Sequence, residues 1–377
     1  MQQFPEKLRK KMEERNKENA LRKLPEPRAL VDLSSNDYLG FAQDETLFDK
    51  AHQLLVARGL KVNGATGSRL LSGNHSLYDE AEAMLCEVYD AEAALIFNSG
   101  YDANIGFFSS VPQRGDVILY DEYIHASIRD GITMSLAKGY KFGHNDLDDL
   151  KKVLKQVRSN GEVYVVTESV FSMDGDSPAL DLISKYCDDN RLHLVIDEAH
   201  AVGVFGNGLV SQLGLTVRTV TRIITFGKAF GCHGAAILGS NTLKNYLVNF
   251  ARSFIYTTGL PPHSVAAIMT AHHIFTTSTA PQQLQENIER FLQKVKELDL
   301  HEQFIASCSA IQCIVIPGND KVKEVSQRLH GQGFDVRPIL SPTVAEGQER
   351  LRFCLHSFNS KEEIEEVLHL LATFVNE

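Results

Sequence analysis

The sequence has no surplus of basic residues. Its 38 Lys and Arg stand against 48 Asp and Glu, a formal net charge of −10. Without that surplus a chain has little with which to neutralise the phosphates of a nucleic acid, so general nucleic-acid binding is not expected. No apolar run approaches the roughly 20 residues a helix needs to cross a bilayer, and no membrane span is expected either. The six cysteines, at 86, 187, 232, 308, 313 and 354, form no C-x-x-C pair and show no disulfide-like spacing. In a chain this long that usage fits reduced thiols. The first 24 residues lack the apolar segment of a secretory signal, and glutamates at 6, 13, 14 and 18 argue against an organelle transit peptide. The cytoplasm is the expected location.

What the chain does have is 377 residues, 43% apolar and 23% charged, enough to bury a large core in two domains or in one large domain with an appendage. It is organised around the stretch LVIDEAHAVGVFGNGLVSQLGLTVRTVTRIITFGKAFGCHG, residues 194–234. Two short apolar runs, 192–196 and 222–226, have the length of buried parallel strands. The first runs into Asp197, with His200 three residues on, and the second into Thr225-Phe226-Gly227-Lys228. In open α/β sheets ligands bind beyond the carboxyl ends of the strands, so this acid, imidazole and amine can face one ligand. A lysine that forms a Schiff base, with an aspartate on a pyridinium nitrogen, is the protein half of pyridoxal phosphate (PLP) chemistry. A lone lysine after a strand is more often a solvated loop residue. Asp-Glu-Ala-His also spells the acidic motif of one class of helicases, but no GxxxxGK[ST] phosphate loop precedes it and an alanine follows Gly227-Lys228.

Taken in order, residues 1–24 predict a polar helix lying on another surface, such as a partner subunit, broken by Pro25 and Pro27. Residues 31–33 predict a short strand before a polar turn at 34–40. Small-residue loops at 63–69 and 72–75 either let backbone approach a ligand or are simple turns. Strand 93–97 runs into Asn98-Ser99-Gly100-Tyr101, where a turn and a helix start make an anion site. Further strands at 117–120 and 163–167 lead to His125 and to Ser172, with a helix at 146–157 between them. Ser177-Pro178 reads as the cap and first turn of the next helix. This alternation predicts a mostly parallel, doubly wound α/β sheet. After Gly239 long helices reach about residue 300. Strands at 311–317 and 351–356 follow, then a closing helix at 360–374 with a capping box in Ser360 and Glu363. The expected division is an N-terminal helix and arm (1–45), a large domain (46–265) and a small C-terminal α+β domain (266–377).

Together DLSSNDYLG, GATGSRLLSGNH, NSGYDAN, the His125 segment, TESVFSMDGD, VIDEAHAVGVFG, TFGKAFG and LRFCLH span about 33–358. Their order resembles the PLP-dependent enzymes of the aspartate-aminotransferase fold (fold type I), and within them the α-oxoamine synthases. These join an amino acid to an acyl-CoA with loss of CO2. The resemblance implies a mostly parallel seven-stranded sheet in a large PLP-binding domain, with a smaller α+β domain after it. TFGKAFGCHGAAILGS and FIYTTGLPP are most similar to the members that condense L-alanine with pimeloyl-CoA or a pimeloyl carrier protein. The alternative is a sibling activity: 2-amino-3-ketobutyrate CoA ligase, 5-aminolevulinate synthase or serine palmitoyltransferase. Two residues depart from the family pattern. Tyr78 stands where a second histidine is usual in the glycine-rich loop, and Tyr101 where phenylalanine is common.

The resemblance also implies roles. Lys228 is the Schiff-base lysine and general base, Asp197 pairs with the pyridine nitrogen, His200 bonds the phenolic oxygen and His125 stacks on the ring. Ser99, Gly100, Tyr101 and Thr225 bind the phosphate, and Ser172 lies near the oxygen edge. Thr257 or Thr258 reaches the partner's phosphate across a homodimer with shared active sites. Arg352 takes the substrate carboxylate, a planar guanidinium matching it in two hydrogen bonds, and Arg22 and Asn36 are further substrate contacts. No metal is implied.

Overall fold

The computed structural model describes residues 4–21, 24, 29–215 and 221–376. Arg22, Pro25 and Pro27 lie outside the described residues. The chain divides into a larger unit, Asn36–Ser172 with Asp176–Gln285, and a smaller one, Met1–Ser35 with Met173–Gly175 and Glu286–Glu377.

The first strand, β1 (Val31–Asp32), belongs to the smaller unit. The larger unit holds β2 (Ala93–Phe97), β3 (Val117–Asp121), β4 (Lys138–Phe142), β5 (Val163–Glu168), β6 (His193–Asp197), β7 (Thr221–Thr225) and β8 (Ala235–Gly239). They form one seven-stranded sheet in the order β2-β8-β7-β6-β5-β3-β4. The pairs β3–β4, β3–β5, β5–β6 and β6–β7 are parallel, and β8 is antiparallel to both its neighbours. Two antiparallel steps through β8 restore the direction, so β2 runs the same way as β7. The carboxyl ends of β2, β3, β5, β6 and β7 therefore share one rim, and Ser99, His125, Glu168, Asp197 and Lys228 lie at or just past those ends.

The sheet is mostly parallel because its strands are apolar on both faces. Successive residues alternate between two cores, as period-two geometry requires. Ile118, Val166, Val195 and Ile223 pack with Phe107 and Phe108 of the helix Gly100–Ser110 on one face. Val117, Leu119, Val165, Leu194 and Ile196 pack with Leu150, Leu180, Ile183 and Cys187 on the other. Each such fully buried side chain contributes roughly 1.5–3 kcal/mol of transfer free energy.

Two elements escape the sequence pattern. The edge strand β4 (KGYKF) exposes all but Phe142, and its lysines are the kind of charge that protects a sheet edge from further pairing. The other, β8 (AAILG), is a short apolar run that follows directly on the glycine-rich loop, from which a period count does not separate it. The helix after Ser177-Pro178 also begins later than expected. It spans Leu180–Asp189 with Ala179 at its N-cap and no side-chain cap. Leu180 N–H bonds the Pro178 carbonyl at 2.8 Å, so Pro178 sits in a turn ahead of the helix.

In the smaller unit β9 (Ile311–Val315), β10 (Phe334–Asp335), β11 (Arg337–Ile339) and β12 (Arg350–Cys354) make an antiparallel sheet, β11-β12-β9, and a parallel pair of β1 with β10. The closing helix, Lys361–Asn376, has its capping box: Glu363 N–H donates to Ser360 Oγ at 3.2 Å, and Ser360 N–H to Glu363 Oε2 at 2.8 Å. No described helix is long and apolar enough to cross a membrane.

Candidate active site

Lys228 stands three residues past β7, in a loop closed by main-chain bonds from Gly231 N–H to the Lys228 carbonyl (2.8 Å) and from Cys232 N–H to Phe226 (2.8 Å). Gly231 has φ +60°, and a Cβ there would lie 2.1 Å from Ala42 N. The loop thus rests directly on the backbone at 41–42, an approach that only glycine permits. The half-buried Lys228 places its Nζ 2.8 Å from His200 Nε2. His200 is buried, and its Nδ1 meets the hydroxyl of Tyr38 at 2.8 Å. That hydroxyl donates to Asn36 Oδ1 at 3.0 Å. Asn36, expected to contact substrate, is here the far end of a chain that reaches the amine.

Asp197 ends β6 with 6% exposure. Its Oδ1 accepts from Ala199 N–H (2.9 Å) and its Oδ2 from Asn104 Nδ2 (2.9 Å). Asn104 also donates to Ser127 Oγ at 3.0 Å. Ser127 in turn lies 2.7 Å from His125 Nδ1 through its hydroxyl, and its N–H donates to the same nitrogen at 3.2 Å. A ring nitrogen that accepts a backbone N–H carries no proton, so a neutral His125 holds its proton on Nε2. Desolvation and the nearby Lys228 charge lower the pKa of His125, and Asp197 partly opposes them. As a residue His125 remains exposed to solvent at the rim.

Glu168, at the end of β5, is in register with Asp197 and buried at 3% exposure. Burial and the adjacent Asp197 push its carboxyl well above the ordinary range, against Lys228 and the His125 N–H that bonds its Oε1 at 2.5 Å. Sequence reading gave Glu168, Asn104, Ser127 and Tyr38 no role, although each lies inside or beside a quoted motif.

At the end of β2, Ser99 caps the helix Gly100–Ser110. Its Oγ accepts from Asp102 N–H (3.1 Å) and donates to Asp102 Oδ2 (2.9 Å). Its hydroxyl is thereby committed to the cap, and the N–H groups that follow are what this helix start offers an anion. A Cβ on Gly100 would meet nothing closer than Thr225, at 3.8 Å, so space beside the helix start is open and Thr225 borders it. Tyr101 turns outward, 49% exposed, with its hydroxyl on Asp130 Oδ2 at 2.7 Å. Asn98 Nδ2 holds Thr257 Oγ1 (3.0 Å) and the Thr258 carbonyl (2.7 Å) beside the same end of β2. Ser172 is half-buried four residues past β5. Arg352 lies on β12 of the smaller unit, half-buried and opposite Cys313 and Arg337. Tyr78, the departure in the glycine-rich loop, is fully buried. It donates to the Leu260 carbonyl at 3.2 Å beneath the Arg69 guanidinium, 3.7 Å from its ring.

Comparison with known proteins gives the arrangement a context. The profile of the family described as aminotransferase class I and II matches residues 28–371. An Emericella nidulans protein named 8-amino-7-oxononanoate synthase is 36% identical over 372 residues, covering 93% of this chain and 90% of that protein. Among solved structures, one titled SPT with its PLP internal aldimine superposes with a TM-score of 0.85 at 26% identity, covering 92% of this chain and 87% of that one. The 8-amino-7-oxononanoate synthase of Francisella tularensis superposes with a TM-score of 0.78 at 27% identity, covering 92% and 98%.

Proposed function

The chain belongs to the aminotransferase class I and II family and is a PLP-dependent transferase of the α-oxoamine synthase group, and from that premise we propose that it condenses L-alanine with a pimeloyl thioester to give 8-amino-7-oxononanoate. The pimeloyl group would arrive on CoA or on a carrier protein, in the cytoplasmic synthesis of biotin. The observation that carries the reading is the convergence of an amine, an imidazole and a buried carboxylate at Lys228, His200 and Asp197 on one rim, in a chain 36% identical to a protein of that name.

The residues fit the cofactor. Asp197 is a buried carboxylate that accepts from two neutral donors, Ala199 N–H and Asn104 Nδ2, which leave its charge uncompensated by them and suit it to a pyridinium. The open space at Gly100, between a helix start and Thr225, suits a phosphate. When bound, PLP supplies a carbonyl for Schiff-base formation and a protonated ring that draws electrons from the substrate's Cα.

The chain's own side chains would do the rest. Asp197, its carboxylate fixed by Asn104 and Ala199 N–H, would hold the proton on the ring nitrogen. His125 would lie on the ring face and limit its tilt, and Ser172 would border the oxygen edge. The N–H groups at 100 and 101, with Thr225, bind the phosphate. Lys228 removes the α-proton of alanine and later returns a proton to the same carbon. Between those steps a bond forms from Cα to the thioester carbonyl, the C–S bond breaks to release the CoA thiol, and the carboxylate leaves as CO2. Arg352 would orient that carboxylate, with Arg22 as a further contact. The enzyme would work as a homodimer in which Thr257 or Thr258 completes the partner's phosphate site.

Initial rates with alanine, glycine and serine, each paired with pimeloyl-CoA and a long-chain acyl-CoA, test the assignment. Alanine with pimeloyl-CoA is expected to lead. The structural likeness to SPT makes serine with a long-chain donor the rival reading, and its preference would overturn this one.

A further inference from the structure

We propose that Tyr38, held by Asn36, is a positioning residue that fixes the tautomer of His200, so that its Nε2 offers a lone pair to the Lys228 amine. The inference rests on the reading of Lys228 as the base, but its geometry stands apart from any substrate. A tyrosine hydroxyl has one proton, and an amide oxygen can only accept. The Tyr38 hydroxyl donates to Asn36 Oδ1 at 3.0 Å, so its oxygen meets His200 Nδ1, 2.8 Å away, with a lone pair. Nδ1 must therefore be the protonated nitrogen. In the neutral ring Nε2 is then bare, and at 2.8 Å it accepts an N–H from Lys228 Nζ.

An amine that gives one N–H to a fixed acceptor has its own lone pair directed away from that acceptor. That orientation is what a base needs when it takes a proton from a carbon held elsewhere. In the opposite tautomer the Nε2–H of His200 would donate to the lone pair of the neutral Lys228 amine and tie up the electrons that a base needs.

The surroundings keep the relay in place. Tyr38 is fully buried and bonded by its own N–H to the Asn36 carbonyl at 2.8 Å. Beside it Gly203, with φ +86°, leaves room for Ala229 and Leu39: a Cβ there would lie 2.5 Å from the Ala229 Cβ and 3.5 Å from Leu39 Cδ1. The turn that carries Tyr38 and the loop that carries Lys228 thus interlock. A tyrosine present only for packing would be replaced by phenylalanine at no cost to chemistry, and that difference gives the test.

The experiment is 15N NMR of the full-length protein labelled at histidine nitrogens, with and without PLP. His200→Gln identifies the His200 resonances, and Tyr38→Phe removes the hydroxyl. In the cofactor-free wild type, Nδ1 is expected at the shift of a protonated nitrogen and Nε2 at that of a bare one. Tyr38→Phe is expected to mix or invert the two. It should also lower kcat by about 10-fold while leaving KM for the amino acid within about 2-fold, the split expected when a proton-transfer geometry is lost and binding is kept. A proton on Nε2 in the wild type overturns the proposal even if the variant fails to fold. Unchanged resonances in a folded Tyr38→Phe also overturn it. Failure of the enzyme to use alanine would count against the proposed reaction and not against the tautomer, which is read from the ring itself.

Discussion

Lys228 and His144 show at the residue scale how charge is placed on this rim. Lys228 Nζ lies 2.8 Å from His200 Nε2 and belongs to a loop fixed by its own main-chain bonds. Lys228→Ala keeps those bonds, so the circular dichroism spectrum should be unchanged. Turnover should fall on the order of 10⁴-fold or more, the scale seen when a covalent nucleophile and base is removed. Undiminished turnover would remove Lys228 from the mechanism. His144 carries a different kind of charge. Its Nδ1 bonds Asp121 Oδ1 at 2.9 Å, its Nε2 bonds Asp176 Oδ2 at 2.8 Å, and Tyr123 stacks on its ring at 4.3 Å. Burial alone would lower its pKa, but the hydrogen bonds and charges of the two carboxylates overcome this and raise it from 6.5 to about 9. The folded protein thus holds the proton more tightly than the unfolded chain. This stabilisation is complete below pH 6.5 and is lost as pH rises through about 9. It amounts to on the order of 3 kcal/mol at most. Melting curves across that range should show the wild type losing stability with rising pH more steeply than His144→Gln. Parallel curves would mean that the imidazole is not charged.

At the scale of elements, glycines set how closely the site loops approach one another. Gly231 and Gly59 have nearly the same φ, +60° and +68°, but a Cβ on Gly59 would meet nothing within 4 Å while one on Gly231 would strike Ala42 N at 2.1 Å. Gly59→Ala is expected to cost about 1 kcal/mol, the strain of the left-handed conformation. Gly231→Ala adds the displacement of the Lys228 loop, so it should cost about 2 kcal/mol or more and weaken PLP binding as well. Denaturant titrations and PLP titrations of the two variants check this, and equal losses would show that the loops do not interlock as described. The same distinction explains what was legible in the sequence. The strands β2, β5, β6 and β7 declared themselves as apolar runs, and Asp197, His200 and Lys228 stood out because they follow those runs directly. The short apolar run of β8 is masked by the glycines on either side of it, and the polar edge strand β4 carries no such signal. Nor do Asn104 and Tyr38. Their roles arise where segments meet across 93 residues, to Asp197, and 162 residues, to His200. Glu168 ends a legible strand, but nothing in its spacing says that its neighbour across the ladder is a second buried carboxylate.

At the scale of the whole molecule the proposed assembly makes a stoichiometric claim. The N-terminal helix Glu6–Lys17 buries none of its residues. Phe4, Leu8 and Met12, spaced four apart on or beside it, are 60%, 46% and 52% exposed, an apolar stripe suited to a second chain. If the phosphate site draws Lys228 from one subunit and Thr257 or Thr258 from the other, two defective variants can rescue each other. One is Lys228→Ala, and the other carries both Thr257→Ala and Thr258→Ala. In a mixed dimer the site built on the intact lysine receives the partner's intact threonines, while the other site has neither. Equal mixing by co-expression makes half the dimers mixed with one good site in two, so activity at limiting PLP should reach about a quarter of the wild type. If instead each chain supplies its own threonines, no mixed dimer contains a complete site. Activity would then stay at the level of the threonine variant alone, diluted by the lysine variant. Light scattering on the same samples fixes the number of chains. A dimeric mass without rescue would keep the assembly and reject the shared site, because the threonines would then serve the lysine of their own chain.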